Sequence, residues 1–502
     1  MFFDWKNFLF RIYLKIAFPP DFTHEKSLHH QKEVFREILK VISETQLARD
    51  FRLNPATAYE DFKEAVPVTG YSFYEPYIER IKAGEQNVMT SRPVKWFAKT
   101  AGTTSGKSKV VPITLQIMRQ CHVRGSFFAL SKIHQLNKEL NLLGHKNLLI
   151  PGGIYETLPA GIIVGDISAI LVRNVPVIYR PFYAPSINVQ THSNWEEKIE
   201  RAVNEIAHED LGTISGVPTW LLSVFQKMKE KIGFEKLTDV WKNLQVYFHG
   251  GVSFEPYRKQ FEALVGKKDF VFYEVYNATE GFFGIQENLQ SNNLLLLTDN
   301  FVFYEFVPLE DLRKGKERVV DLSEVKTDVP YAILITAPNG LLRYLIGDVI
   351  TFQSLNPYTF KITGRTQEYI NAFGEDLLLS NVENALMKTN REFNVEVSDF
   401  TVAPFYISIE QKGKIQFAIE FLKPPENISA YEKLLDENLQ LENSNYKQKR
   451  ANSLALSACE VIDLPSDTFY KWLNSKNKLG GQNKIPRLVN GRNLMDEILA
   501  MV

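Results

Sequence analysis

From residue 94 onward the chain alternates short apolar runs with amphipathic stretches, and this alternation limits the possible folds more than any other feature. The runs at 147–151, 212–217, 244–248, 270–276 and 332–336 have the length and composition of buried strands. Between them, 113–130, 195–207 and 219–232 repeat apolar residues at helical spacing. Strand and helix in turn argue for a largely parallel, helix-covered sheet, and the fold class expected for the large domain is α/β with helix-covered mixed sheets. Such sheets place ligands on the turns at the carboxyl ends of their strands. Ahead of this region, 24–90 reads as helical. Beyond Gly364-Arg365 a second unit is expected, with helices at 381–389, 431–442 and 467–474 and a hairpin at 405–410 and 414–422. The expected division is therefore 1–365, a large domain, and 366–502, a smaller α+β domain of ordinary size.

The 502 residues, 44% of them apolar, are enough for two or more units with a sizeable core. A formal net charge of −1 sets up no field toward nucleic acid or an anionic membrane, so a polyanionic ligand needs a local arrangement of charge. Cys121 and Cys459 form neither a disulfide framework nor a metal motif, which fits a reducing cytoplasm. At the amino terminus Asp4, Lys6, Arg11 and Lys15 break up what would otherwise resemble a signal peptide. Phe2, Phe3, Phe8, Leu9, Tyr13 and Ile16 instead make one broad apolar helix face. It is expected to dock on its own domain, the alternative being a membrane surface.

The turns hold the unusual residues. Lys99 to Lys109, KTAGTTSGKSK, crowds glycines, hydroxyls and lysines ahead of a strand-like 110–113. Glycine lets backbone approach a phosphate, hydroxyls and amides donate to its oxygens, and lysine adds compact charge. The P-loop of kinases and GTPases needs four residues between its glycines, whereas only Thr103, Thr104 and Ser105 separate Gly102 from Gly106. Further along come Phe248-His-Gly250-Gly251-Val252, then Val275-Tyr276-Asn277-Ala278-Thr279-Glu280-Gly281, then Tyr344-Leu-Ile-Gly347-Asp348. Gly364-Arg365 and Gly480-Gly-Gln-Asn-Lys484 complete the series.

Together, and in this order, these segments resemble the motifs of the adenylate-forming superfamily of acyl-CoA synthetases, non-ribosomal adenylation domains and luciferases. The resemblance narrows, through the longer phosphate loop, Ser215-Gly-Val-Pro-Thr-Trp and Asn300-Phe-Val-Phe-Tyr-Glu, to the auxin-responsive Gretchen Hagen 3 family of acyl-acid amido synthetases. It implies ATP and Mg²⁺. Thr100, Gly102, Thr103, Thr104, Ser105, Gly106 and Lys107 would cradle phosphate. Gly250, Gly251 and Val252 would lie against adenine and Tyr276 would stack on it. Asn277, Ala278 and Thr279 would flank the α-phosphate, and Glu280 would bind the metal. Asp348 would hold ribose and Arg365 ribose or phosphate, with Thr103, Glu280 and Lys484 as the catalytic set and a domain pivot at Gln367–Glu368. Val123, Phe127, Val217, Pro218, Thr219, Leu222 and Phe248 are candidate walls for the acid, and their character favours an apolar or aromatic one.

The implied reaction joins a carboxylic acid to an amino acid through an acyl-adenylate. The rivals are an acyl-CoA ligase, which shares the first half-reaction, and a nucleotide-binding relative without catalysis. The presence of Glu280, Asp348, Arg365 and Lys484 together argues against the second.

Overall fold

The computed structural model describes residues 5–104, 107–192, 194–316, 318–366, 369–451, 456–476 and 485–502. Its centre is a sheet of twelve strands among the described residues. One half is parallel: Tyr183–Ala184, Lys146–Leu149, Leu211–Gly216, Val246–His249 and Val271–Asn277 lie side by side in that order. Helices Trp195–Ile206, Pro218–Ile232 and Glu255–Val265 connect them. Pro218 stands in the first turn of its helix, where it costs no hydrogen bond. That helix buries Leu221, Leu222, Phe225 and Met228, and Phe225 meets Trp241 at a tilt and Phe261 edge-on. Full burial of such a ring contributes about 1.5–3 kcal/mol.

The other half is antiparallel, so the sheet is mixed, as the expected fold class has it, and parallel over only part of its width. Phe282–Gln286 turns back on Val271–Asn277, and Leu294–Leu296, Tyr358–Arg365, Tyr344–Leu355, Pro330–Thr336, Phe303–Pro308 and Val320–Asp321 follow antiparallel. The reason is the connection. Only residues 278–281 separate Asn277 from Phe282, closed by Ala278 N–H donating to Gly281 O at 2.8 Å. A parallel return needs a crossover of about a dozen residues. A second sheet of four strands packs beside this one and holds the hairpin Val94–Thr104 and Lys107–Thr114.

The amino-terminal helix, Trp5–Ala17, docks on Arg124–Leu136 through buried Leu14 and through Phe10 against His134. The expected face is only partly the docking face: Phe8, Leu9 and Ile16 are exposed, and half-exposed Tyr13 meets Phe127 edge-on. Apolar residues surround this helix on more than one side, so their pattern did not single out the buried one. No helix among the described residues is long and apolar enough to cross a membrane.

Near the carboxyl terminus Glu396–Phe405, Lys414–Lys423 and Glu460–Leu464 form a three-stranded sheet under helices Leu379–Phe393 and Ile428–Glu442. The expected hairpin exists, but its first strand is 396–405; 406–413 is the connecting loop, in which Ser408 N–H donates to Gln411 O at 2.9 Å. This part packs against the large domain. Tyr257 donates its hydroxyl to Ala372 O at 2.7 Å, and Gln226 donates to Ser408 O at 2.5 Å.

Candidate active site

Four parallel strands end at one cavity of about 1520 Å³. The residues just past their carboxyl ends line it: Ile150, Gly152, Gly153, Val217, Gly250 to Val252, and Thr279. Two of the glycines here are dictated by the protein's own backbone and side chains. A Cβ on Gly250 would collide with the carbonyl oxygen of Val275 on the neighbouring strand, and a Cβ on Gly152 would collide with the Asp166 carboxylate. Gly251 takes a φ of 83°, which disfavours any side chain.

Of the expected nucleotide and acid contacts, Thr100, Val123, Phe127, Val217, Phe248, Gly250, Gly251, Val252, Asn277 and Thr279 line this cavity. Pro218, Thr219 and Leu222 do not. They start a helix whose first turn points into the core, and Thr219 and Leu222 are fully buried there. The hairpin runs through the backbone of Gly102, Thr103, Thr104 and Lys107, with Thr104 paired to Lys107. Ser105, Gly106, Lys484 and the pivot at Gln367–Glu368 lie outside the described residues.

Tyr276, Ala278, Glu280, Asp348 and Arg365 are not among the residues that line this cavity. Asp348 and Arg365 face each other on neighbouring strands, with Nε to Oδ1 at 2.8 Å. The Tyr276 hydroxyl donates to the other Asp348 oxygen, and its ring packs edge-on against Phe283 and Phe360. Glu280 is buried. Loss of water pushes its carboxyl up to about 7, and Asp348 adds to this, while its own backbone hydrogen bond, Arg365 and Lys109 pull it down. Lys109 feels Glu280 and Asp376, so acids and bases alternate around this end.

A second charged group was not anticipated. Asp166 accepts from Gly153 N–H at 2.8 Å and from the Tyr155 hydroxyl at 2.6 Å. Lys99 sits over the Tyr155 ring at 4.9 Å, and Lys198 donates to Gly152 O at 2.8 Å. Burial lowers Lys198 to about 8, against a raising influence from Asp166. From the carboxyl-terminal part, helix Ser444–Ala451 adds Gln448, which donates to the Tyr155 hydroxyl at 2.7 Å, and Lys449, whose ammonium lies 4.6 Å from the Trp220 ring centre. Asp436 anchors this helix by accepting from Arg450 Nε at 2.9 Å and from the Tyr446 hydroxyl at 2.6 Å. The dipeptide Gly152-Gly153 after an apolar strand was the one local signal for this group.

The family's N-terminal domain profile matches residues 22–184 and 154–270, its central domain 295–365, and its C-terminal domain 380–493; all three are described as GH3 family domains. Among curated proteins, the jasmonoyl–L-amino acid synthetase JAR4 of Nicotiana attenuata is 24% identical over 65% of this chain and 67% of its own length. The jasmonoyl–L-amino acid synthetase GH3.5 of Oryza sativa subsp. japonica is 25% identical over 92% of each chain. The indole-3-acetic acid-amido synthetase GH3.3 of Arabidopsis thaliana is 23% identical over 93% of this chain and 90% of its own. Among solved structures, the AtGH3.15 acyl acid amido synthetase in complex with 2,4-DB matches with a TM-score of 0.62 at 18% identity, covering 98% of this chain and 96% of that one. A 2-hydroxyisobutyryl-CoA ligase in its thioesterification state shares the fold at 0.57 and 12% identity, covering 95% and 92%. With profiles of all three domains matching in order along most of its length, the chain belongs to the GH3 family.

Proposed function

We propose that the protein activates a carboxylic acid with ATP and passes the acyl group to the amine of an amino acid. One observation carries this reading: an apolar groove and a charged end meet at the carboxyl ends of the parallel strands, in a chain of a family that forms acyl-adenylates. Relatives named as jasmonoyl–amino acid and indole-3-acetic acid-amido synthetases support the amide product.

In the first step a carboxylate oxygen attacks the α-phosphorus of ATP, the bond to the β-phosphate oxygen breaks, and pyrophosphate leaves with the electron pair. The barrier is crowding of anions, so positioning and positive charge lower it. Asp348 and Arg365 hold the ribose end. The hairpin around Thr103 and Lys107, with Lys109 and Thr279, holds phosphate. Lys484 neutralises the junction between carboxylate and α-phosphate. In the second step the amine nitrogen attacks the acyl carbon, the carbon–oxygen bond to AMP breaks, and the amine proton passes to solvent. Lys99, Lys198 and Lys449 outnumber Asp166 and keep the cavity positive for anionic reactants.

Among the described residues no group of three or more His, Cys, Asp or Glu could cage a metal. One buried carboxylate, Glu280, with no ion pair to another described residue, would suit Mg²⁺ held beside a triphosphate. Bound there, Mg²⁺ would supply positive charge to the triphosphate. The small domain begins at 366 and pivots at Gln367–Glu368. The use of ATP and two buried, unpaired cysteines support a cytoplasmic location.

Pyrophosphate release over a panel of carboxylic acids tests the first step, and amide formation with added amino acids tests the second. Faster acyl transfer to CoA than to any amino acid would replace the second step with thioester formation. No acid-dependent pyrophosphate release would sink the whole reading. Lys484→Ala should abolish adenylation yet spare amide formation from added acyl-adenylate, and equal loss of both would overturn that role.

A further inference from the structure

We infer that the acid is elongated and apolar, with a chain of about ten carbons or more, an inference that rests on the reading just given and names its substrate class. Residues 115–136 form one continuous helical run, Leu115–Ile117, Met118–Val123 and Arg124–Leu136. Leu115, Met118, Val123, Phe127 and Leu130 all line the cavity from this run, so one helix face borders it over sixteen residues, or roughly 22 Å.

The reacting end of the groove is marked by His122, paired through Nδ1 with Asn277 Oδ1 at 2.9 Å. Asn277 directly precedes Ala278 and Thr279, the segment assigned to the α-phosphate. His122 to Leu130 spans roughly 12 Å along the helix, while an extended carbon chain advances about 1.25 Å per bond, so this stretch takes about ten carbons. Outside this helix, Leu171, Val175, Pro176 and Phe182 add apolar lining. Beyond Leu130, Phe10, Leu142 and Leu143 continue the lining. Arg119, Ser126 and Asn174 also border the cavity and put polar groups on its wall. Val177 and Ile178, next to the lining residue Pro176, are 73% and 74% exposed, so a longer tail leaves over an apolar surface. A compact aromatic acid would fill only the part beside Val123 and Phe127 and leave the remaining apolar wall against water.

The test is pyrophosphate release with straight-chain acids from four to sixteen carbons, beside benzoate and phenylacetate, together with direct calorimetric binding of the same acids. We expect kcat/KM to rise about fourfold per methylene up to about ten carbons and then level. Leu130→Trp should shift the optimum down by several carbons, and Leu130→Ala should not; matching heat-unfolding midpoints and ATP affinities show that both variants are folded. Benzoate outperforming decanoate, or a flat profile, would overturn the inference. Should no acid release pyrophosphate, the proposed reaction fails, and calorimetry then decides the groove alone: tighter binding of decanoate than of hexanoate or benzoate upholds it, and equal or weaker binding overturns it.

Discussion

Asp348 was expected to hold ribose, and in the structure each of its carboxylate oxygens already has a partner. Arg365 Nε lies 2.8 Å from one oxygen, and the buried Tyr276 hydroxyl donates to the other. Tyr276→Phe keeps the ring and its packing on Phe283 and Phe360, and removes only the donor. A hydrogen bond to a charged group contributes about 1.5–3 kcal/mol, so urea unfolding should report a loss of that size. ATP affinity should not fall, because a ribose hydroxyl no longer competes with the phenol for that oxygen. Asp348→Asn acts in the opposite sense on the nucleotide. It takes the charge from Arg365 and from the ribose site, and ATP affinity should drop by about tenfold to a hundredfold, about 1.4–2.7 kcal/mol.

The assay is calorimetric titration of ATP without acid, paired with urea unfolding of each variant. Two results would refute the reasoning. If Tyr276→Phe weakens ATP binding as much as Asp348→Asn, the phenol touches the nucleotide directly and is not a competitor for Asp348. If Asp348→Asn binds ATP normally, the Gly347-Asp348 turn serves the fold alone.

Glu280→Gln should cut pyrophosphate release by about a hundredfold or more with an unchanged circular dichroism spectrum, and wild-type activity would remove Glu280 from the site. Gly250→Ala places a methyl against the Val275 carbonyl and should cost about 1–3 kcal/mol of stability, read as a lower melting temperature; an unchanged midpoint would show that the two strands part freely. Glu375 accepts from Ala372 N–H at 3.2 Å and Phe373 N–H at 2.6 Å, and burial raises its carboxyl from 4.5 to about 8. A raised folded value means its contribution is full below about pH 4.5 and is lost as pH climbs through 8, at about 1.4 kcal/mol per pH unit. Glu375→Gln should flatten that part of the stability–pH curve, and an unaltered slope would place the titration elsewhere.

What could be read from the sequence follows from where the constraints are local. Gly250 must be glycine because a neighbouring strand passes against it, and Glu280 and Asp348 stand out because a charge beside buried strands needs a reason. Strand positions were legible for the same reason: length and apolar content are properties of a short window. Strand direction was not, because an apolar run has no polarity of its own, and only the four-residue turn at 278–281 forces the sheet to reverse. The wall of the cavity divides between adjacent residues: Val217 faces it, while Pro218 and Thr219 begin a helix that turns inward. The group around Asp166 draws on five separate stretches, at 99, 152–155, 166, 198 and 448–449, with no spacing to betray it. Its one local trace, Gly152-Gly153, is explained only once Asp166 is seen where a Cβ would stand. A glycine pair at a strand end therefore signals a close approach, and the partner that approaches has to be found in three dimensions.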